Sequence, residues 1–411
     1  MKVNIIDQDI YGNGVAKIDS IPIFVEKALP TEEVDITVYQ DKKTYKRATL
    51  NSIITPSKDR MVPRCPFYDA CGGCDLLHQK YESTLEYKKN KVLSNLNRIA
   101  GIKDIEVSKI ISGDQYNYRN KVTLHVKDNK LGFYKKNSND IIEINECLLL
   151  NSKLNDIIDV FRKINLNNIS EIVIKISEHS GQILVLITHI NSIKHTIDEL
   201  IKTNLISTII INKEDELHVV YGDGYIVEKV GEYLFNISAN SFFQVNSKIA
   251  NEVYKEISSY LINEKKSTLI DLYCGTGTIG ISVANKVKEV VAIEEVAEAI
   301  INANDNKVLN NINNIEFILG TVELNISKIN SANIVVLDPP RAGCDSKALE
   351  YIMTLKPSKI KNMAGDSATW ARDIKHISEE YAIKDIVIAD MFPNTYHVET
   401  IVLLERKANK E

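Results

Sequence analysis

The apolar run Thr268-Leu269-Ile270 leads through Asp271-Leu272-Tyr273-Cys274 into Gly275-Thr276-Gly277-Thr278-Ile279-Gly280, and then into a helical stretch. A glycine-rich turn between a strand and a helix lets backbone amides and a helix N-terminus meet the polar groups of a ligand at close range. From Ser267 onward, apolar strands such as Glu289-Val290-Val291-Ala292-Ile293 alternate with helical stretches. That alternation predicts an α/β fold with a doubly wound parallel sheet. Taken alone, the turn suits a dinucleotide or S-adenosylmethionine equally well.

Two later features decide between them. Glu294 follows the next strand about twenty residues on, where an acidic side chain accepts ribose hydroxyls. The run Val335-Val336-Leu337 then ends in Asp338-Pro339-Pro340-Arg341. The prolines stiffen a loop at the carboxyl edge of the sheet, where such folds bind ligands. An Asp-Pro-Pro-Arg loop after the glycine turn points to a nucleobase methyltransferase, and hydride transfer has no use for it.

The chain has 411 residues, enough for two or three units. It is 44% hydrophobic and 26% charged, and no apolar run reaches the eighteen or so residues that a membrane span needs. The start, MKVNIIDQDIYGNG, has no basic region followed by an apolar stretch, so a cytoplasmic protein without membrane attachment is expected. A net charge of -5 argues against a uniformly basic nucleic-acid binder but leaves room for local basic faces.

Residues 1–57 carry short apolar runs punctuated by Gly, Pro and Asp, the pattern of a small β-barrel. Residues 81–100 have helical periodicity with many Lys and Glu, and Gly101 stands as a stop. A surface helix packing on the C-terminal unit is expected there. Residues 115–240 read as mainly β. Cys65, Cys71 and Cys74 lie in RCPFYDACGGCD, separated by five and two residues, with Cys147 far downstream. Four thiolates at this spacing suit a four-iron four-sulfur cluster or a structural zinc, which the spacing does not separate. The radical adenosylmethionine spacing of three and two residues is absent.

Together these residues resemble the RNA uracil-carbon-5 methyltransferases, which make 5-methyluridine in 23S ribosomal RNA and transfer RNA. The resemblance runs nearly end to end. It covers the N-terminal barrel, similar to a TRAM domain of the OB type, the four cysteines, and Tyr118-Arg119-Asn120-Lys121. It continues through Ser241-Phe242-Phe243-Gln244-Val245-Asn246, the glycine loop, Asp-Pro-Pro-Arg, and Phe392-Pro393-Asn394-Thr395-Tyr396-His397-Val398-Glu399. It implies a barrel at 1–57, a cysteine-cluster and RNA-binding unit at 58–80 and 101–240, and a class I, Rossmann-like methyltransferase unit at 81–100 and 241–411.

The resemblance also assigns roles. Gln244, Tyr273, Thr278, Glu294 and Asp338 occupy positions that contact S-adenosylmethionine, and Glu399 that of the general base. Arg119 and Arg341 are expected to hold RNA, Cys65, Cys71, Cys74 and Cys147 a four-iron four-sulfur cluster in preference to zinc. The implied partner is RNA, of the 23S ribosomal class, and the implied state a monomer. Tyr39 and Tyr45 are compatible with a barrel that grips single strands by stacking.

One residue departs from the family. Carbon 5 of uracil is a poor nucleophile, so the family adds a cysteine thiolate to carbon 6 and methylates the resulting enolate. The family places that cysteine in a Ser-Cys-Asn-Pro stretch before Ala-Thr-Leu-Ala-Arg-Asp. Here Ala364-Gly365-Asp366-Ser367-Ala368-Thr369-Trp370-Ala371-Arg372-Asp373 stands instead, so Gly365 holds the nucleophile's place. Three readings follow: Cys344 supplies the thiol, the site methylates another acceptor with Asp338, Asp366 and Glu399 available as bases, or the chain binds without catalysing. Gly320-Thr321 also stands where Gly-Asp is expected, and Trp370 brings an indole large enough to fill a base pocket.

Overall fold

The computed structural model describes residues 1–408. Its largest sheet has eight strands in the order Ile315–Leu319, Glu289–Glu294, Thr268–Leu272, Ile334–Leu337, Lys359–Ala364, Glu399–Arg406, Tyr381–Ala389 and Lys109–Ile111. The first five run parallel to one another, whereas Glu399–Arg406 runs antiparallel to both of its neighbours. The glycine-loop strand is therefore central, and successive crossovers leave it in opposite directions. That reversal opens a crevice at the carboxyl ends of the strands.

Alternate residues of these strands face opposite sides, and each side has its own apolar layer. Ile270 and Leu272 join Val92, Leu96, Ile352, Trp370 and Ile374 on one face. Leu269 joins Ile249, Val253, Ile257 and Ile281 on the other. Helix Ser367–Ile377 thus lies on the first face and helix Ser247–Ser259 on the second.

A seven-stranded sheet drawn from residues 121–221 forms the central unit, with helices Ser152–Phe161 and Lys194–Lys202 on one face. Residues 2–55 form a six-stranded sheet. Its two shortest strands are successive pieces of one segment. Lys2–Asn4 pairs with Glu33–Asp41, and Asp7–Gln8 pairs with Gly14–Ile18, so this segment joins both edges and rolls the sheet up. Among the described residues, no helix is long and apolar enough to cross a membrane.

The helix expected to pack on the C-terminal unit does so, and more deeply than a surface helix would. Tyr81–Asn95 is α-helical, Leu96–Ala100 continues as a wider π turn, and Gly101 ends it at φ 73°. Val92 and Leu96 enter the core, and Asn95 Nδ2 donates to Ser367 Oγ at 2.8 Å. Most telling is Lys88, only 1% exposed, whose ammonium pairs with Asp390, also 1% exposed, and donates to the carbonyl of Phe392 at 3.1 Å. The sequence pattern, rich in charge, could not announce that one of its lysines is sealed.

Removing one partner of a buried pair leaves the other charge desolvated and alone, at a cost of about 3–5 kcal/mol. Lys88→Met should therefore lower the unfolding free energy by roughly that amount in urea titration, whereas Lys89→Met, on the solvent side of the same helix, should change it by less than ~0.5 kcal/mol.

Candidate active site

A cleft of about 1220 Å³ opens at the carboxyl ends of the central strands. Gln244, Tyr273, Glu294, Asp338, Arg341, Gly365 and Glu399 all line it. The glycine loop reaches it through residues with left-handed backbone, Tyr273 at φ 64°, Gly275 at φ 54° and Gly277 at φ 78°. A Cβ on Gly277 would sit 2.7 Å from the Phe317 ring, so only glycine fits that turn.

Glu294 does more than line the wall. One oxygen accepts from the Gly275 amide at 3.0 Å and the other from Val296 at 2.9 Å, which ties the end of its strand to the glycine loop. Beneath the loop, Asp271 is fully buried and accepts from the Gly280 amide at 2.9 Å. Burial pushes its carboxyl up to about 7.

Thr278 is placed differently from expectation. It opens helix Thr278–Val283, its hydroxyl lies 3.3 Å from that of Thr276, and Thr276 rather than Thr278 lines the cleft. The first turn of the helix rotates the Thr278 side chain inward. Arg119 is also away from the cleft: its Nε donates to the Lys121 carbonyl at 3.0 Å, and its backbone pairs beside Leu150, near Cys147.

Asp338 follows strand Ile334–Leu337. Burial raises its carboxyl to about 6. Glu399 begins the antiparallel strand, and burial, then the charge of Asp338, raise it to about 7, while Arg341 opposes the shift. A Cβ built on Gly365 would lie 3.0 Å from Glu399 Oε1. The residue in the nucleophile's place therefore faces the expected base directly, with its carboxylate leaning into the space left by the missing side chain.

The candidate thiol and the candidate base Asp366 are both constrained by their surroundings. Cys344 lines the cleft, but burial and the neighbouring Asp373 carboxylate raise its thiol, so the thiolate is disfavoured. Asp366 caps helix Ser367–Ile377, accepting from Ala368 and Thr369 amides at 3.0 and 2.9 Å. Trp370 is 1% exposed within the core, and the indole lines no part of the cleft. Thr321, in the place of the expected acid, does line it.

Two aromatic residues escaped role assignment from sequence although they sit in the quoted closing motif. Phe392 and His397 line the cleft, with ring centroids 5.8 Å apart. Burial and nearby cations hold His397 down to about 4, hence neutral at physiological pH.

The cysteine loop docks onto this motif. The amides of Asp75 and Leu76 both donate to the Asn394 carbonyl at 3.0 Å, and Tyr118 Oη donates to that of Pro393 at 3.1 Å. Cys65, Cys71, Cys74 and Cys147 are all free and half-buried. They converge closely enough that, after burial, Cys147, Cys71 and Cys65 each raise the Cys74 thiol. Among the described residues, no group of three or more His, Cys, Asp or Glu side chains is drawn tightly enough for a metal ion. Tetrahedral zinc, with bonds of about 2.3 Å, requires sulfurs only ~3.8 Å apart.

A carboxyl raised from 4.5 to about 7 binds its proton more tightly folded than unfolded. Its contribution to stability is therefore present at low pH and is lost as pH rises from about 4.5 through 7. Thermal unfolding across this window should show wild-type Tm falling relative to Glu399→Gln as pH increases; parallel curves would contradict the shift.

The model of the tRNA (Uracil-5-)-methyltransferase family matches residues 80–407. An uncharacterized RNA methyltransferase of Clostridium acetobutylicum is 36% identical, over 96% of this chain and 94% of its own. One of Staphylococcus aureus is 30% identical, over 98% and 97% respectively. The crystal structure of Pyrococcus abyssi tRNA (uracil-54, C5)-methyltransferase in complex with S-adenosyl-L-homocysteine superposes with a TM-score of 0.80 at 25% identity, covering 98% of this chain and 99% of that one. With the family model matching four-fifths of its length and a relative 36% identical over nearly the whole chain, this chain belongs to the tRNA (uracil-5-)-methyltransferase family of RNA methyltransferases.

Proposed function

We propose that this chain binds S-adenosylmethionine and an RNA nucleotide in the Gln244–Glu399 cleft, and that it has lost the covalent route to uracil carbon 5. The observation that carries this reading is Gly365 facing Glu399 with no side chain between them. The residues present fit S-adenosylmethionine: a glycine turn that admits close backbone approach, and Glu294 on the cleft wall, an acid at the end of the second strand where ribose hydroxyls would bind. When bound, that molecule supplies an electrophilic methyl group.

The remaining work falls to the protein. Gln244 and Asp338 orient the ligands, and Arg341 sits at the mouth as a cation for phosphate. Phe392 and neutral His397 offer apolar and stacking surface for an extruded base. Glu399, with its raised carboxyl, holds or accepts a proton near neutral pH. Without a thiol at 365, the ring is not activated at carbon 6.

A second reading has one observation in its favour. Glu399 fills the space beside Gly365, and Asp338 is raised with it, so two carboxyls near neutrality face one acceptor position. Such a pair deprotonates an exocyclic amine or hydroxyl during methyl transfer without a covalent step.

The rolled N-terminal sheet is read as a TRAM-like barrel that contributes RNA contacts, and 23S ribosomal RNA and transfer RNA are both candidate substrates. The four cysteines are read as ligands of a four-iron four-sulfur cluster. Their convergence from two distant segments, with Cys65, Cys71 and Cys147 all near enough to raise the Cys74 thiol, supports a shared ligand set. Metal analysis of anaerobically purified protein should find iron and acid-labile sulfide; zinc alone would sink the cluster.

Methyl transfer to unmodified 23S and transfer RNA transcripts, read by nucleoside mass analysis, tests the main proposal. The natural chain should yield no 5-methyluridine, and Gly365→Cys should yield it once Glu399 gives by a few tenths of an ångström. 5-Methyluridine from the natural chain would refute the loss, and a different methylated nucleoside would establish the second reading.

A further inference from the structure

Outside the main cleft, a second cleft of about 910 Å³ lies between the rolled N-terminal sheet and helix Tyr81–Asn95. A row of rings joins the two. Tyr11, on the second cleft, meets Tyr396 edge-on with centroids 5.5 Å apart; Tyr396 lies 4.3 Å from His397, and His397 lines the main cleft.

Tyr11 is 54% exposed yet held without slack. Its amide donates to Asp9 Oδ1 at 2.8 Å, as does that of Asn13, and Asn13 Nδ2 donates to Asp9 Oδ2 at 2.9 Å. The Asp9 carbonyl accepts from Tyr87 Oη at 2.9 Å. Gly12 turns at φ 83° so close to Leu76 that a Cβ there would sit 2.6 Å from its methyl. A turn pinned from three sides to present a large ring to solvent has already met the ordering cost that stacking on a ligand requires.

Cations complete the row. Lys91 Nζ stands 4.9 Å from the centre of the Tyr396 ring and donates to the Tyr396 carbonyl at 2.9 Å. Arg98, about two turns beyond in the π segment that continues the helix and exposed, lines the second cleft. Alternating rings and cations beside a site that receives one base is the arrangement that tracks an unpaired strand.

We propose that Tyr11 and Tyr396 form a stacking subsite for the unpaired nucleotide adjoining the base held in the main cleft, with Arg98 on its phosphate; this rests on the RNA-binding reading above. The occupant is the same RNA strand, because the ring row is continuous from one cleft to the other. The subsite would make the protein select targets in single-stranded loops, since a paired neighbour cannot present its face to Tyr11.

The test measures affinity of the full chain for a mixture of unmodified 23S and transfer RNA transcripts by filter binding, with S-adenosylhomocysteine binding by calorimetry as a check on the intact cleft. Tyr11→Ala and Tyr11→Leu should each weaken RNA retention about tenfold, while Tyr11→Phe, which keeps the ring, should stay within about twofold of the natural chain. S-adenosylhomocysteine binding should be unchanged in all three. Wild-type affinity in Tyr11→Leu would overturn the subsite and leave RNA binding standing. A natural chain that binds S-adenosylhomocysteine but retains no RNA would overturn the RNA reading, and the subsite with it.

Discussion

The buried pair between Lys88 and Asp390 holds together parts of the chain that are some three hundred residues apart. Asp390 ends strand Tyr381–Ala389 and opens the segment that runs through His397 to Glu399, and its amide also donates to Ile111. The same segment receives the cysteine loop at Asn394, Tyr118 at Pro393, and Lys91 at Tyr396. An ion pair sealed from water is stiff, because any displacement exposes a bare charge to a medium that cannot solvate it. The site's base and its aromatic wall are thus placed by contacts from the helix and the cysteine loop, neither of which touches the reaction centre.

This arrangement explains why the fold survives a change at its chemical centre. Gly365 follows a central strand and precedes an N-cap whose aspartate accepts two helix amides through one oxygen, so the loop keeps its course without the side chain. What position 365 lacks is a side chain, and with it a thiol. What is retained, a glycine turn braced by Glu294 and two carboxyls raised by burial, suits binding and proton handling. A cleft can keep its shape while losing a step, because shape is distributed over many contacts and the nucleophile is one atom.

The α/β architecture was legible from the alternation after Ser267 and from the glycine turn, since sheet period and turn chemistry are local properties. Gln244, Tyr273, Glu294, Asp338, Arg341 and Glu399, named from motifs, do meet in one cleft. Thr278 and Arg119 do not, for reasons of orientation: one is rotated inward by the first helical turn, the other is held by a neighbouring carbonyl. The Trp370 indole, expected in the pocket, is packed under the sheet, because helix Ser367–Ile377 turns its apolar face, indole included, to the core.

The sequence by itself determined the order of strands and helices, the residues with the chemistry of a methyltransferase, and the absence of a thiol at 365, all of which depend on residue identity and spacing. Only the tertiary structure decided which of those residues share a cavity, that Lys88 is buried while Glu86 and Asn90 on the same helix are exposed, and that Tyr11 and Tyr396 meet across separate units. It also decided that Glu399 titrates near neutrality. These outcomes depend on burial and on contacts between residues hundreds of positions apart, and local patterning carries no record of either.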